Sequence, residues 1–270
     1  MHHIRLACLM AVALCATAAW RTPAHAADIV KAPPAPTTVA PLTSDWQFQA
    51  TFYGWATAMN GDVGVRGLPP ASVDLSAYDA LTNLDGALMG AFSGKKGDWS
   101  FLFDVVYASL SDGVTFGPLG GSRASLGVKQ TIFSGLVGYR MPLGLPDNVD
   151  LSATVGFRYQ HLSGDFNFTN AYVPLAVSTK GTQDWIDPTI GLQLNYAIDE
   201  KWFINAIADV GGFGVGSKIT AQGFATLGYM WTPSISTAIG YRAIYTDYEN
   251  DGFVYNVTQH GAFLSLGYHF

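Results

Sequence analysis

The stretch Ile186-Asp187-Pro188-Thr189-Ile190-Gly191-Leu192-Gln193-Leu194-Asn195-Tyr196 alternates without a break. One face carries Ile, Pro, Ile, Leu, Leu and Tyr; the other carries Asp, Thr, Gly, Gln and Asn. Only an extended strand, whose successive side chains point to opposite sides, separates the two sets. Residues 150–159 repeat the pattern, with Leu151, Ala153, Val155, Phe157 and Tyr159 opposed to Asp150, Ser152, Thr154, Gly156 and Arg158. Trp99, Phe101, Phe103, Val105 and Tyr107 form a further apolar face.

Working outward from these segments, the same period predicts strands near 46–58, 85–95, 99–110, 124–140, 149–161, 184–198, 201–210, 219–230, 234–248 and 253–270. Their connectors alternate between mostly shorter and mostly longer ones, as do the periplasmic turns and outer loops of outer-membrane barrels. No segment beyond the N-terminal leader approaches the roughly 18 consecutive apolar residues of a helical span. The expected fold class is therefore all-β: a transmembrane antiparallel up-and-down β-barrel of about ten strands, with eight or twelve as alternatives. Residues 124–140 change apolar parity between Leu126/Val128 and Val137/Tyr139, as a bulge would cause. An extra hairpin within 162–183 would raise the count to twelve. In the long first connector, Leu75, Tyr78 and Leu81 stand at helical spacing and predict one short amphipathic turn, folded over or into the mouth or lying as an ordered surface loop.

The composition agrees with a strand-and-turn protein. Of 270 residues, 49% are hydrophobic and only 13% charged, with 30 Gly. At the N-terminus Arg5 precedes an uncharged run from Leu6 to Ala19, and Ala24-His25-Ala26 fits a small-x-small cleavage site, so residues 1–26 read as a secretory signal peptide. Both cysteines, Cys8 and Cys15, lie inside it. Residues 27–45, with Pro33, Pro34, Pro36 and Pro41, read as a disordered periplasmic lead-in, and 46–270 as the barrel. Residues 1–26 contain Arg5, Arg21 and no acid; without them 14 basic residues become 12 against 20 acidic ones, a net charge of −8. A nucleic-acid partner, which needs a basic face, is not expected.

Aromatic side chains cluster at one end of the predicted strands: Trp46, Trp99 and Trp202 open upward strands, whereas Tyr196, Tyr229, Trp231 and Tyr268 close downward ones. Amphipathic rings favour a membrane–water interface. The last strand ends Leu264-Ser265-Leu266-Gly267-Tyr268-His269-Phe270. Its alternation of Leu264, Leu266, Tyr268 and the terminal Phe270 resembles the signal read by the bacterial outer-membrane assembly machinery, an expected partner together with outer-membrane lipids and lipopolysaccharide.

Trp185-Ile186-Asp187-Pro188, the run Asp209–Ser217 (DVGGFGVGS), Gly240-Tyr241-Arg242, and Phe253-x-Tyr255 with Thr258, Gly261 and Phe270 resemble a widespread, mostly uncharacterised family of small proteobacterial outer-membrane β-barrel proteins. The resemblance is densest after residue 183, and Asn256 and Ala262 stand where that family has Asp and Pro. The Pro-rich start is similar to that of small alphaproteobacterial surface proteins. What the resemblance implies is fold and location; it carries no catalytic set.

Strand parity turns Asp104, Arg158, Asp187, Asp209 and Arg242 into the lumen, with Lys129 a further candidate. Arg158, Asp209 and Arg242 stand at a common height, so these charges are expected to form a lumenal network, acting either as a structural plug or as a charge-selective constriction. By the same parity His161 and His260 face outward and His269 lies at the periplasmic end. No base and nucleophile are convincingly paired, so no catalytic residue, metal site or cofactor is expected. The alternative arrangement is His260 with Thr258 or Ser265 at the lipid surface. DVGGFGVGS lacks phosphate-loop spacing and predicts a tight outer hairpin. Acids outnumber bases across the outer loops, a pattern suited to solubility, cation attraction or divalent bridging to lipopolysaccharide phosphates. The expected function is a monomeric surface or integrity barrel, or in its open variant a narrow diffusion channel. The alternatives are an enzyme acting on lipid A or phospholipid and a transporter of apolar solutes.

Overall fold

The computed structural model describes residues 46–64, 69–116, 122–170 and 175–270. The leader and the Pro-rich segment expected at 1–26 and 27–45 lie outside the described residues. Eleven strands and one short helix follow in order: β1 (Gln47–Gly64), β2 (Ala71–Leu75), α1 (Ala77–Thr82), β3 (Leu84–Lys96), β4 (Trp99–Phe116), β5 (Ser122–Arg140), β6 (Val149–Asn170), β7 (Leu175–Ala197), β8 (Trp202–Gly212), β9 (Ile219–Thr232), β10 (Ile235–Asn250) and β11 (Phe253–His269). Neighbours in sequence pair antiparallel from β3 through β11, and β1 joins β3 on one side and β11 on the other. Ten strands close the barrel, while β2 pairs only with the outer end of β1, from Met59 to Val63. Closure pairs β1 with both β3 and β11, although the β1–β3 ladder ends at Phe52↔Gly90 and leaves Tyr53–Ala58 and Leu84–Met89 unpaired with each other.

The seam is sealed at its periplasmic end by the last residue. Phe48 donates its N–H to the carbonyl of Phe270 at 2.8 Å, and Phe270 returns the bond to Phe48 at 3.0 Å.

Alternation decides which face each side chain takes. On β6, Ser152, Thr154 and Arg158 are buried, while Val155 between them is 62% exposed on the outside. On β10, Ala238, Arg242 and Ile244 are buried whereas Ile239 and Tyr241 are exposed. The outer wall thus presents an apolar surface, including Phe52, Leu88, Phe103, Val137, Ile190, Leu227 and Leu264. Phe48, Phe92, Phe101, Phe103, Phe133 and Phe157 continue it as a chain of neighbouring rings, with centroids 5.6–6.2 Å apart, across β1, β3, β4, β5 and β6. At the periplasmic end Trp99 meets Tyr139 edge-on at 4.9 Å, and Trp202 meets Tyr229 in the same way at 5.0 Å.

The structure differs from the sequence expectation at several elements. β5 runs in unbroken register with both β4 and β6, so the parity change within it is not a bulge. Its inward set includes Gln130 and Ile132, and Lys129 is exposed on the opposite face rather than in the lumen. Residues 162–183 add no hairpin: β6 and β7 stay paired from Leu162↔Gln183 to Asn170↔Leu175. The ladder continues beyond the apolar wall because polar residues such as Ser163 and Thr182 suit a strand in water equally well. In the first connector, Leu75 belongs to β2 and not to the helix. The α1 helix is capped by Ser76, whose Oγ accepts from the Asp79 N–H at 3.1 Å. Tyr78 and Leu81 are exposed, at 75% and 55%.

Candidate functional site

The lumen is crossed by a continuous hydrogen-bonded layer of side chains. Arg158 on β6 donates through Nη1 to Thr220 Oγ1 at 2.9 Å and through Nη2 to both Asp209 oxygens, at 2.8 and 3.1 Å. Asp209 Oδ2 also accepts from Gln222 Nε2 at 3.0 Å. Gln222 Oε1 in turn accepts from Arg242 Nε at 3.1 Å and Nη2 at 2.8 Å. Arg242 Nη2 reaches Asp104 Oδ1 at 2.7 Å, and its Nη1 reaches the Tyr53 hydroxyl at 3.1 Å. Tyr53 then donates to Asp104 Oδ2 at 2.6 Å. Six strands thereby contribute to one layer: β1, β4, β6, β8, β9 and β10. Arg158 and Arg242 are 1% and 4% exposed, so protein groups rather than bulk water hold each guanidinium, although the Arg158 Nε has no partner among the described residues.

Backbone room is part of this arrangement. Gly191 on β7 lies directly opposite Asp209 on β8, and a Cβ there would stand 2.3 Å from the Ala208 carbonyl oxygen and 2.7 Å from Asp209 Cβ. Glycine lets Asp209 sit close to β7 and within reach of Arg158.

Towards the outer side the layer is covered by apolar side chains. Trp55, Val106, Ile132, Ile244 and Phe263 form a buried cluster, and the Arg242 guanidinium lies 5.2 Å from the Trp55 ring centroid. Beyond it Gln130 and Gln259 exchange amide bonds at 3.1 and 2.6 Å, and Trp185, Tyr248, Tyr255 and Val257 pack a second cluster. On the periplasmic side a cavity of about 150 Å³ is roofed by the charged layer and lined by polar residues such as Thr51, Ser93, Gln193 and Asn205. Gln49, Ser93, Gln193 and Asn195 are shared with a wider space of about 560 Å³ at the periplasmic mouth.

Of the five charges expected in the lumen, four join this layer: Asp104, Arg158, Asp209 and Arg242. Asp187 is fully buried but stands apart. It accepts from the Ser217 N–H at 2.6 Å and from Ser217 Oγ at 2.9 Å, although Arg158 is its cross-strand partner. The reason lies in the DVGGFGVGS hairpin. Gly212 (φ 89°), Phe213 (φ 50°) and Gly214 (φ 76°) make a tight left-handed turn that folds residues 213–218 back beside β7. A buried loop N–H needs an acceptor, and Asp187 supplies it. Tyr53, Gln222 and Thr220 complete the layer without having been expected there. Thr220 and Gln222 were legible by alternation, but Phe52-Tyr53 places two aromatics side by side and hides the parity.

The histidines take different environments. His161 Nδ1 lies 2.6 Å from Asp184 Oδ1 at the exposed outer end. His269 Nε2 lies 2.8 Å from Ser236 Oγ at the periplasmic end. His260, on the outer wall, is held on both sides by diagonal neighbours: its Nδ1 is 2.6 Å from the Tyr241 hydroxyl and its Nε2 is 3.0 Å from Asn60 Oδ1. Asn60 Nδ2 in turn donates to Asp74 Oδ1 at 2.6 Å. The hydroxyl beside His260 is therefore a phenol, and neither Thr258 nor Ser265 takes that place. Among the described residues no three His, Cys, Asp or Glu side chains form a group able to hold a metal ion.

Several outer acids are engaged locally. Lys218 pairs with Glu249 at 2.5 Å, and Lys180 with Asp165 at 3.0 Å. The bond to Glu249, with Asp247 nearby, holds the Lys218 ammonium above its ordinary range. At the opposite end Asp199, in the β7–β8 turn, accepts the N–H groups of Lys201 and Trp202 at 2.7 Å each. Those two bonds, that of Trp202 first, hold its carboxyl below the ordinary carboxylate value.

A closed barrel that is apolar outside and polar inside inverts the surface of a water-soluble protein. Its exposed apolar wall belongs in hydrocarbon. The chain is an outer-membrane β-barrel. No protein-family model matches it, and no curated protein matches its sequence. Among solved structures it is similar to the outer-membrane protease OmpT from Escherichia coli, at 12% identity over 86% of this chain and 99% of that one, with a TM-score of 0.49. It is also similar to the translocator domain of the autotransporter NalP from Neisseria meningitidis, at 13% identity over 83% and 88% of the two chains, with a TM-score of 0.42. The attachment invasion locus protein Ail of Yersinia pestis matches at 10% identity over 84% and 100%, with a TM-score of 0.34. Likenesses at this distance carry no functional information for the chain.

Proposed function

We propose that this protein is a closed, monomeric integrity element of the outer membrane, neither an open diffusion channel nor an enzyme, and that it works without a cofactor. One observation supports the reading above others: the layer running from Thr220 through Arg158, Asp209, Gln222, Arg242 and Asp104 to Tyr53 spans the lumen and has an apolar cluster on its outer side. An aqueous path must break both. A narrow ten-strand barrel has little lumen left once its side chains are placed. In this reading the partners are the bilayer, lipopolysaccharide at the acidic rim and the assembly machinery that inserts the barrel.

The experiment is planar-bilayer recording of the refolded wild type, where no steady conductance is expected. A stable open level with charge selectivity makes the layer a filter and removes the integrity reading.

The Tyr241–His260–Asn60 arrangement supports a second reading, a lipid-acting hydrolase, because it sets a hydroxyl and an orienting amide on either side of a lipid-facing imidazole. Release of fatty acid from phospholipid or lipid A in mixed micelles, lost in Tyr241→Phe, would establish it; wild type without activity above the buffer rate removes it.

A further inference from the structure

Below the charged layer the lumen forms a cup that opens towards the periplasm. Its inner part, about 150 Å³, joins the space of about 560 Å³ at the mouth. One water needs about 10–15 Å³ on this scale, so the inner part has room for roughly ten. The charges that border it are already matched: Arg158 with Asp209 and Arg242 with Asp104 in the roof, and Lys95 with Asp150 at the mouth. A charged guest would meet no uncompensated partner there.

The polar groups beneath the roof are in a different state. β7 turns Thr189, Gln193 and Asn195 into the lumen along one line, and Asn205 of β8 stands directly opposite Asn195. Thr189 is only 8% exposed, yet its hydroxyl makes no hydrogen bond to a described residue. The Asn195 and Asn205 amides make none either. Nor are these groups shut off inside the wall, as Ser134 Oγ and Gln193 Oε1 are, so they open on the cavity that their side chains line. Leu102, Leu136 and Phe203 add an apolar portion to the same lining.

This lining sets three demands on a guest. It must offer donors and acceptors together to the amides and the hydroxyl, present some C–H surface, and carry no net charge. Hydrocarbon would strip water from Thr189 and the amides without replacing its bonds. A lone carbonyl would use only their donors. Hydroxyl groups arrayed on a small ring meet all three demands, because each one both donates and accepts. A pyranose, with about a dozen non-hydrogen atoms, matches the inner volume. We propose that the periplasmic half of the lumen is a binding site for a neutral polyol of monosaccharide size, its hydroxyls bonded to Thr189, Gln193, Asn195 and Asn205. The site is independent of whether the charged layer conducts, since none of those residues belongs to it.

The refolded, nitrogen-15-labelled protein in phosphocholine micelles, titrated with methyl β-D-glucopyranoside, tests the site. The side-chain amide resonances of Asn195 and Asn205, assigned through Asn195→Leu and Asn205→Leu, should shift saturably. Cyclohexylmethanol, a ring of similar size with one hydroxyl, and glucuronate, which is charged, should leave them in place at the same concentration. Saturation transfer from the wild-type protein to the glucoside gives the affinity without recourse to any variant. Thr189→Val, which keeps the volume and removes one hydroxyl, should weaken that affinity about three- to ten-fold, the worth of one neutral hydrogen bond. Amides that ignore the glucoside, follow it without saturation, or respond equally to cyclohexylmethanol or glucuronate overturn the site. Absent saturation transfer to the glucoside, or unchanged affinity in Thr189→Val, overturns it as well.

Discussion

Arg158 on β6 and Asp209 on β8 meet over the intervening β7 through a single guanidinium nitrogen, Nη2, which contacts both carboxylate oxygens, while the directly opposed Asp187 is left to the β8–β9 loop. The pair belongs to a buried chain, so truncating one member strands the next. Arg158→Ala leaves Asp209 with only Gln222, and Arg242→Ala leaves Asp104 with only Tyr53. Each should destabilise the folded barrel by about 3–5 kcal/mol, the range for breaking a buried pair. Each should also raise ion leak where the wild type has none. Thermal unfolding and bilayer recording check this together. Variants that match wild type in both would remove the layer from any structural role.

A second prediction separates two roles of the C-terminal residue. Phe270 carries the end of the assembly signal, and its backbone exchanges both bonds with Phe48 at the seam. Phe270→Ala keeps the backbone pair and removes the ring, whereas deletion of Phe270 removes both. If the ring is the signal, both variants should reach the outer membrane poorly in pulse-chase fractionation. If seam closure dominates, only the deletion should fail, and purified Phe270→Ala should unfold near the wild-type temperature.

The Asp187–Ser217 anchor sets the stability of the outer hairpin. Asp187→Ala leaves the Ser217 N–H and hydroxyl without their acceptor in a fully buried place, at a cost of about 1–3 kcal/mol. Gly216→Ala should act in the same direction, since its Cβ would stand 2.5 Å from the Ile186 carbonyl oxygen. Limited proteolysis should cut both variants within 213–218 while the wild type resists. Equal cutting rates would show that the anchor does not hold the loop.

Asp199 gives the periplasmic β7–β8 turn a pH dependence of known sign. Its folded-state pKa lies below the ordinary value of 3.8 because the charged carboxylate accepts the Trp202 and Lys201 amides. The contribution is therefore complete above about 3.8 and fades as pH falls through the lower folded value. Amide exchange at Trp202 should accelerate over that acid window in the wild type. Asp199→Asn, which does not titrate there, should show no such step, and a step that persists in the variant assigns the titration to another group.

Much of the barrel was legible along the chain because side-chain direction in a strand is local. Ile186–Tyr196 and Asp150–Tyr159 announce their two faces residue by residue, and that parity alone turns Asp104, Arg158, Asp187, Asp209 and Arg242 inward. It also puts His260 outside and apolar rings at the strand ends. The even strand count and the tight DVGGFGVGS turn follow from the same local rules of alternation and glycine placement.

Which inward group meets which was decided only when the barrel closed. Parity gives a face but not the stagger between strands, so Arg158 was as free to pair with Asp187 as with Asp209 until the β8–β9 loop folded onto β7. Tyr241, His260 and Asn60 come from β10, β11 and β1, and they meet only because the last strand returns to the first. The break between β1 and β3 has the same origin. Nothing along either strand marks where the ladder stops, because the pairing of β1 with β2 and of β3 with β4 is decided between strands. Period two is a property of one strand; register and closure belong to the whole sheet.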